Sequence, residues 1–167
     1  LKDTNEDAIF PLIDFCSTRN IILRFIEYMP FEARWHSCIT SQEIQNRITE
    51  RFTLSSIQSD SASNALHSGP AQNFWLTEKN MMVGFISPLS NRFCSSCNRL
   101  RLSAKGELRT CLAHEETPSL GMMLRNNATD EDIKRQIRIQ VLGKKEGHLC
   151  EVESGTPFQG VMTQIGG

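Results

Sequence analysis

The 167-residue chain has no run of about eighteen apolar residues, which excludes a hydrophobic helix long enough to cross a bilayer. Its first residues, Leu1-Lys2-Asp3-Thr4-Asn5-Glu6-Asp7, are acidic and lack the apolar core of a secretion signal. They also lack an initiator Met, so the chain reads as one that begins mid-protein. Eighteen Lys and Arg against 19 Asp and Glu leave a net charge of −1, without the positive excess of a protein that coats nucleic acid. A local basic site is still compatible with that balance. There is no internal repeat, and the serine-rich stretch 55–72 is the one block of biased composition. At 39% apolar and 22% charged residues, the length suits one ordinary domain or part of a larger one.

Six cysteines are present: Cys16, Cys38, Cys94, Cys97, Cys111 and Cys150. A disulfide framework would suit a small secreted domain, and nothing in the sequence marks secretion. Reduced thiols, three of them serving a metal, are the expected state.

Periodicity supplies the α/β elements. Apolar residues Ile9, Leu12, Ile13 and Cys16 recur at helical spacing, which predicts a helix over 6–17 with Asn5 as its cap. The run Ile21 to Ile26 predicts a strand buried on both faces, as in a parallel sheet flanked by helices. Helix followed by such a strand suggests a βα repeat whose earlier members are missing. Thr40 or Ser41 with Glu43 predicts a capped helix through Phe52. The composition of residues 55–72 predicts a surface connection or a weakly ordered loop, with His67 as a solvated loop histidine. Strands follow at 74–76 and 82–86 around a turn at 77–80, with Trp75 as a packing residue. A hairpin is expected from 100–102 and 108–112 around Ala104-Lys105-Gly106-Glu107. A short helix over 120–124 precedes a longer one that Thr129 caps, with Ile133, Ile137 and Val141 along one side. Lys144 and Lys145 near its end complement the helix dipole. The tail 147–167 has no helical period and suits a groove.

The chemistry concentrates between Phe93 and Leu112. Cys94-x-x-Cys97 places two thiolates on one side of a turn, and the predicted hairpin carries Cys111 back toward them. Two metals compete for this set. Structural zinc needs four ligands, and His114 would complete a Cys3His site. A 4Fe–4S cluster on three cysteines would leave one iron open to a substrate atom. Spacing alone favours zinc. Arg99 and Arg101 shift the balance, because a closed zinc site has no use for them. On a strand they share one face. Adjacent guanidiniums repel unless an anion lies between them, and guanidinium matches phosphate oxygens bidentately. A solvated sheet face with Glu107 and Glu115 nearby is the plainer alternative.

Several segments together resemble the C-terminal half of the GTP 3′,8-cyclase family, radical S-adenosylmethionine enzymes of molybdenum cofactor biosynthesis. They are Arg24-Phe25-Ile26-Glu27-Tyr28-Met29-Pro30-Phe31, Phe93-Cys94-x-x-Cys97-Asn98-Arg99-Leu100-Arg101-Leu102, Gly106, Cys111-Leu112 and Gly166-Gly167. The resemblance implies an α/β fold: the end of an incomplete βα (TIM-like) barrel over 1–54, then a C-terminal α+β extension over 55–167 with an iron–sulfur site, a GTP site and a tail. It implies conversion of GTP to 3′,8-cyclo-7,8-dihydro-GTP. It also implies that Cys94, Cys97 and Cys111 ligate a second 4Fe–4S cluster and that Arg99, Leu100 and Arg101 bind GTP. Met29 matches a position contacting S-adenosylmethionine, and Gly166 and Gly167 match a tail reaching the active site. The first cluster's Cys-x-x-x-Cys-x-x-Cys loop is absent from these residues, so no catalytic residue is assigned here and the chain alone is expected to be inactive. Ala113-His114-Glu115 departs from the family's bulkier segment. Expected partners are GTP and S-adenosylmethionine, with a homodimer as a candidate assembly and neither nucleic acid nor membrane. The expected compartment is the bacterial cytoplasm, or the mitochondrial matrix in a eukaryote. A zinc-stabilised Cys3His module that binds a nucleotide or partner without catalysis is the competing reading.

Overall fold

The computed structural model describes residues 1–29, 37–57, 69–112 and 118–144. They fall into two units that divide between Phe93 and Cys94. Pro30, Phe31, His67, His114, Lys145, Cys150, Gly166 and Gly167 lie outside the described residues, as does the tail 147–167.

The first unit is a mixed sheet covered on one face by two helices. After a 3₁₀ turn at Glu6–Ala8, helix α1 spans Ile9–Ser17 and buries Ile9, Ile13 and Cys16, one stripe at helical spacing. Pro11 is tolerated because it sits in the first turn, where backbone N–H groups have no intrahelical partner. Asn5 precedes the 3₁₀ turn and makes no side-chain capping bond, so the helix start differs from the expected cap. Strand β1 (Leu23–Ile26) follows a turn in which Asn20 takes a left-handed φ of 53°.

Helix α2 (Ser41–Thr49) has the expected capping box: Glu43 N–H donates to Thr40 Oγ1 at 3.2 Å, and Thr40 N–H to Glu43 Oε2 at 2.8 Å. Strands β2 (Leu54–Ser56), β3 (Ala71–Leu76) and β4 (Met81–Ile86) complete a four-stranded sheet ordered β1-β4-β3-β2. β1 runs parallel to β4, while β3 pairs antiparallel with β4 and β2. The β3–β4 hairpin turns through Thr77–Lys79 and a left-handed Asn80.

Leu76, Val83 and Phe85 project from the sheet into a core shared with Ile13 and Ile48. Phe85 is flanked by Phe25 and Phe74 at centroid distances of 5.7 and 5.6 Å. The opposite face is open around β1: Arg24 is exposed and Ile26 is 64% exposed. The expectation that this strand is buried on both faces therefore fails among the described residues. Both helices pack against the one face that carries Leu23 and Phe25.

The second unit starts with a 3₁₀ turn at Cys94–Ser96. A short hairpin follows, β5 (Arg101–Leu102) against β6 (Leu108–Arg109). Ser103 organises its turn: its backbone N–H donates to Glu107 O at 2.9 Å, and its hydroxyl accepts from Glu107 N–H at 3.1 Å. Gly106 has φ 79°, and a Cβ there would sit 2.6 Å from the backbone N of Gly121. That close approach lets helix α3 (Leu120–Arg125) dock on the turn, with Ser119 Oγ accepting from Met122 N–H at 3.2 Å as its cap. Helix α4 (Asp130–Leu142) opens with a Thr129–Asp132 capping box. Ile133 and Ile137 are half-buried as expected, whereas Val141 is exposed.

Candidate functional site

Two polar constructions stand out, one in each unit. In the first, Glu27 follows β1 and is 2% exposed. Its carboxylate accepts from the N–H of Ser41 at 2.9 Å, of Leu89 at 3.0 Å and of Ser90 at 3.0 Å, and also from Ser90 Oγ. Burial alone would raise its pKa. The donors from Ser41, Ser90 and Leu89 outweigh burial and hold it below the usual value for a glutamate. One buried charge thus joins the end of β1, the first residue of α2 and the turn after β4. Met29 lies two residues beyond this anchor and is half-buried. Sequence reasoning singled out Met29 and passed over Glu27. A glutamate at a strand end has no local signature when its donors lie 14 and more than 60 residues away.

In the second unit, Cys97 N–H donates to Cys94 O at 3.1 Å, closing the Cys-x-x-Cys turn. Cys94, Cys97 and Cys111 are all half-buried, and no disulfide joins any two of the described cysteines. The ladder pairs Arg101 with Arg109 and Leu102 with Leu108. The ladder is shorter than the sequence suggested, and Cys111 lies two residues beyond its last pair.

Lys144, just past α4, reaches this turn. Its Nζ lies 2.7 Å from Cys97 O, 3.1 Å from Arg99 O and 3.4 Å from Cys97 Sγ. The expectation that Lys144 serves the dipole of its own helix is corrected: its ammonium bonds residues 97 and 99. Burial pushes the Cys97 thiol up, but the Arg99 N–H, the Lys144 hydrogen bond and the charges of Lys144 and Arg99 bring it below its usual value. Cys38 shows the opposite outcome, where burial pushes the thiol up with Glu27 nearby.

Arg99 and Leu100 are exposed and precede the ladder, while Arg101 is half-buried within it. Strand parity therefore does not by itself place Arg99 beside Arg101. The direct neighbour of Arg101 is Arg109, whose side chain is 13% exposed and lies 3.7 Å from Glu107. Arg109 was missed from sequence, and Lys144 was given only a helix-dipole role. Lys144 stands 47 residues from Cys97, and Arg109 acquires meaning only through cross-strand register.

Among the described residues no three His, Cys, Asp or Glu side chains gather around a point as they would for a single ion. No helix of the described residues is long and apolar enough to cross a membrane.

A family model described as Molybdenum Cofactor Synthesis C matches residues 21–150, from the start of β1 through the hairpin and α4. Among curated relatives, a GTP 3′,8-cyclase of Paracoccus denitrificans (strain Pd 1222) is 36% identical over 153 residues, covering 89% of this chain and 43% of that protein. A GTP 3′,8-cyclase of Rhodobacter capsulatus is 36% identical over 154 residues, covering 89% and 45%. One of Pseudomonas putida (strain W619) is 36% identical over 174 aligned residues, covering 100% of this chain and 50% of that protein. The chain spans about half the length of the curated relatives it matches. The family match takes in Glu27, the Cys94–Cys97 turn, Cys111 and Lys144: the chain belongs to the Molybdenum Cofactor Synthesis C family.

Proposed function

We propose that this chain is the C-terminal, substrate-holding part of a GTP 3′,8-cyclase, the end of an incomplete βα barrel followed by an α+β extension. The whole enzyme would convert GTP to 3′,8-cyclo-7,8-dihydro-GTP by radical S-adenosylmethionine chemistry. The single observation that supports the reading is the closed Cys94–Cys97 turn ahead of the Arg101–Arg109 hairpin, within a match to relatives of that name.

In this reading Cys94, Cys97 and Cys111 hold the second 4Fe–4S cluster. When bound, such a cluster has one iron without a protein thiolate and can offer it to a heteroatom of the substrate. The chain's own residues supply recognition. Arg101, with its Nε buried and lacking a hydrogen-bond partner among the described residues, suits a phosphate oxygen. Arg99 and Leu100 stand exposed beside it on the same segment. The same reading assigns Met29, beyond the Glu27 anchor, to S-adenosylmethionine contact, and Gly166 and Gly167 to a tail serving the active site. The first cluster belongs to the preceding half of the enzyme.

The test is metal content after anaerobic reconstitution of the full-length protein. An iron and sulfide content one 4Fe–4S cluster higher in the parent than in Cys111→Ala supports the reading. Stoichiometric zinc that is lost in His114→Ala would overturn it in favour of a closed Cys3His site. Arg101→Ala should weaken GTP binding by about 1.5–3 kcal/mol if the guanidinium makes a charge-assisted bond. Unchanged affinity would return Arg101 to a structural role.

A further inference from the structure

The three hydrogen-bond donors of the Lys144 ammonium all face one short segment. Their partners are Cys97 O at 2.7 Å, Arg99 O at 3.1 Å and Cys97 Sγ at 3.4 Å. An ammonium has three donors and no acceptor, so these contacts use its full capacity. A lysine that only complements a helix dipole would turn to the last carbonyls of its own helix. In α4 two of the last carbonyls are met instead by backbone, with Gly143 N–H on Ile139 O at 2.9 Å and Lys144 N–H on Val141 O at 3.3 Å. The side chain is thereby released to cross to residues 97–99.

We propose that Lys144 is a positioning residue for the Cys97-Asn98-Arg99 turn. It fixes the direction of the Cys97 thiolate as a cluster ligand and places a positive charge beside that sulfur. The proposal rests on the cluster reading above and adds a residue to it. Two consequences follow from the geometry. First, one cation links the backbone of a metal ligand to the backbone from which Arg99 projects, so ligand and nucleotide-binding segment are set together. Second, hydrogen bonds and charge at a ligating sulfur favour the more negative, reduced form of a cluster, which raises its reduction potential. The N–H···S contact carries both the hydrogen bond and the charge.

The experiment compares the full-length parent with Lys144→Met, which keeps length and removes charge and donors, and with Lys144→Arg, which keeps the charge. Amide hydrogen exchange is read on the metal-free protein. Lys144→Met should exchange faster over residues 97–101 and unchanged over β3 and β4, and Lys144→Arg should lie closer to the parent. Potentiometry followed by electron paramagnetic resonance is then read on the reconstituted protein. The C-terminal cluster should shift to more negative potential in Lys144→Met and stay near the parent value in Lys144→Arg. A cluster present in every variant, with neither exchange nor potential altered by Lys144→Met, would overturn the proposal and leave the cluster reading intact. Zinc in place of iron in the parent would overturn the cluster reading and the potential shift with it. The exchange comparison would then decide whether Lys144 sets the turn.

Discussion

Arg101 and Arg109 are direct cross-strand neighbours in the second-unit hairpin, and the Nε of each is buried without a hydrogen-bond partner among the described residues. Like charges directly opposite one another destabilise a strand pair. Glu107, 3.7 Å from Arg109, offsets one of the two charges. The hairpin thus has an excess cation facing the side on which both side chains project. A phosphate oxygen would relieve the repulsion and satisfy a buried donor at once.

An added polyphosphate should therefore stabilise the chain by mass action. At about 100 times its dissociation constant a ligand specific to the folded state contributes roughly 2.7 kcal/mol. Tripolyphosphate should raise the thermal midpoint of the parent above that in sodium chloride of equal ionic strength. Arg101→Ala should lose most of this difference. An equal response in the variant would assign the effect to general screening.

Glu27→Gln tests the buried anchor of the first unit. Its amide nitrogen cannot accept from the backbone N–H groups of Leu89 and Ser90, or from Ser41 if the group is turned the other way. Leaving buried donors unsatisfied is costly, and the expected loss is roughly 3 kcal/mol in denaturant-derived stability. A loss under about 0.5 kcal/mol would show that water replaces the carboxylate readily.

The same residue sets a pH dependence. Its folded pKa lies below its ordinary value, so its contribution is fully present above the unfolded glutamate pKa. That contribution is lost as pH falls through the folded pKa, a window beginning near about pH 4 and extending below it. Unfolding midpoints should decline on acidification through this range, and Glu27→Gln should flatten part of the decline. Parallel slopes in parent and variant would place the acid sensitivity elsewhere.

Gly106→Ala should destabilise the second unit. The φ of 79° is strained for an L residue, and the added Cβ would meet Gly121 N at 2.6 Å, a backbone atom that cannot turn aside. Held in such a conformation, a non-glycine residue costs of order 1–3 kcal/mol. Equilibrium unfolding monitored on the second unit checks this, and wild-type stability would mean that the turn rearranges freely.

Much of the framework was legible from local chemistry. The Thr40–Glu43 and Thr129–Asp132 boxes, the stripe Ile9–Ile13–Cys16 and the β3–β4 and β5–β6 hairpins each follow from residues within a few positions of one another. The three cysteines and their spacing are likewise visible in one dimension. Burial of β1 was misjudged because an apolar run does not reveal which faces helices will cover; Ile26 is as apolar as Phe25 and yet stays exposed.

The sequence by itself determined the element types, the Thr40 and Thr129 caps, the Cys94–Cys97 turn and the family. Those depend on dihedral preferences and contacts between near neighbours, which a short window contains. Only the tertiary structure decided that Glu27 is a four-donor anchor, that Arg109 faces Arg101, and that Lys144 bonds Cys97. The Glu27 and Lys144 contacts are attractive pairings of charged and polar groups, whereas Arg109 is set against Arg101 by strand register despite their like charges. Coulombic attraction and hydrogen bonding act over a few ångströms of space, whatever number of residues of chain lies between the partners.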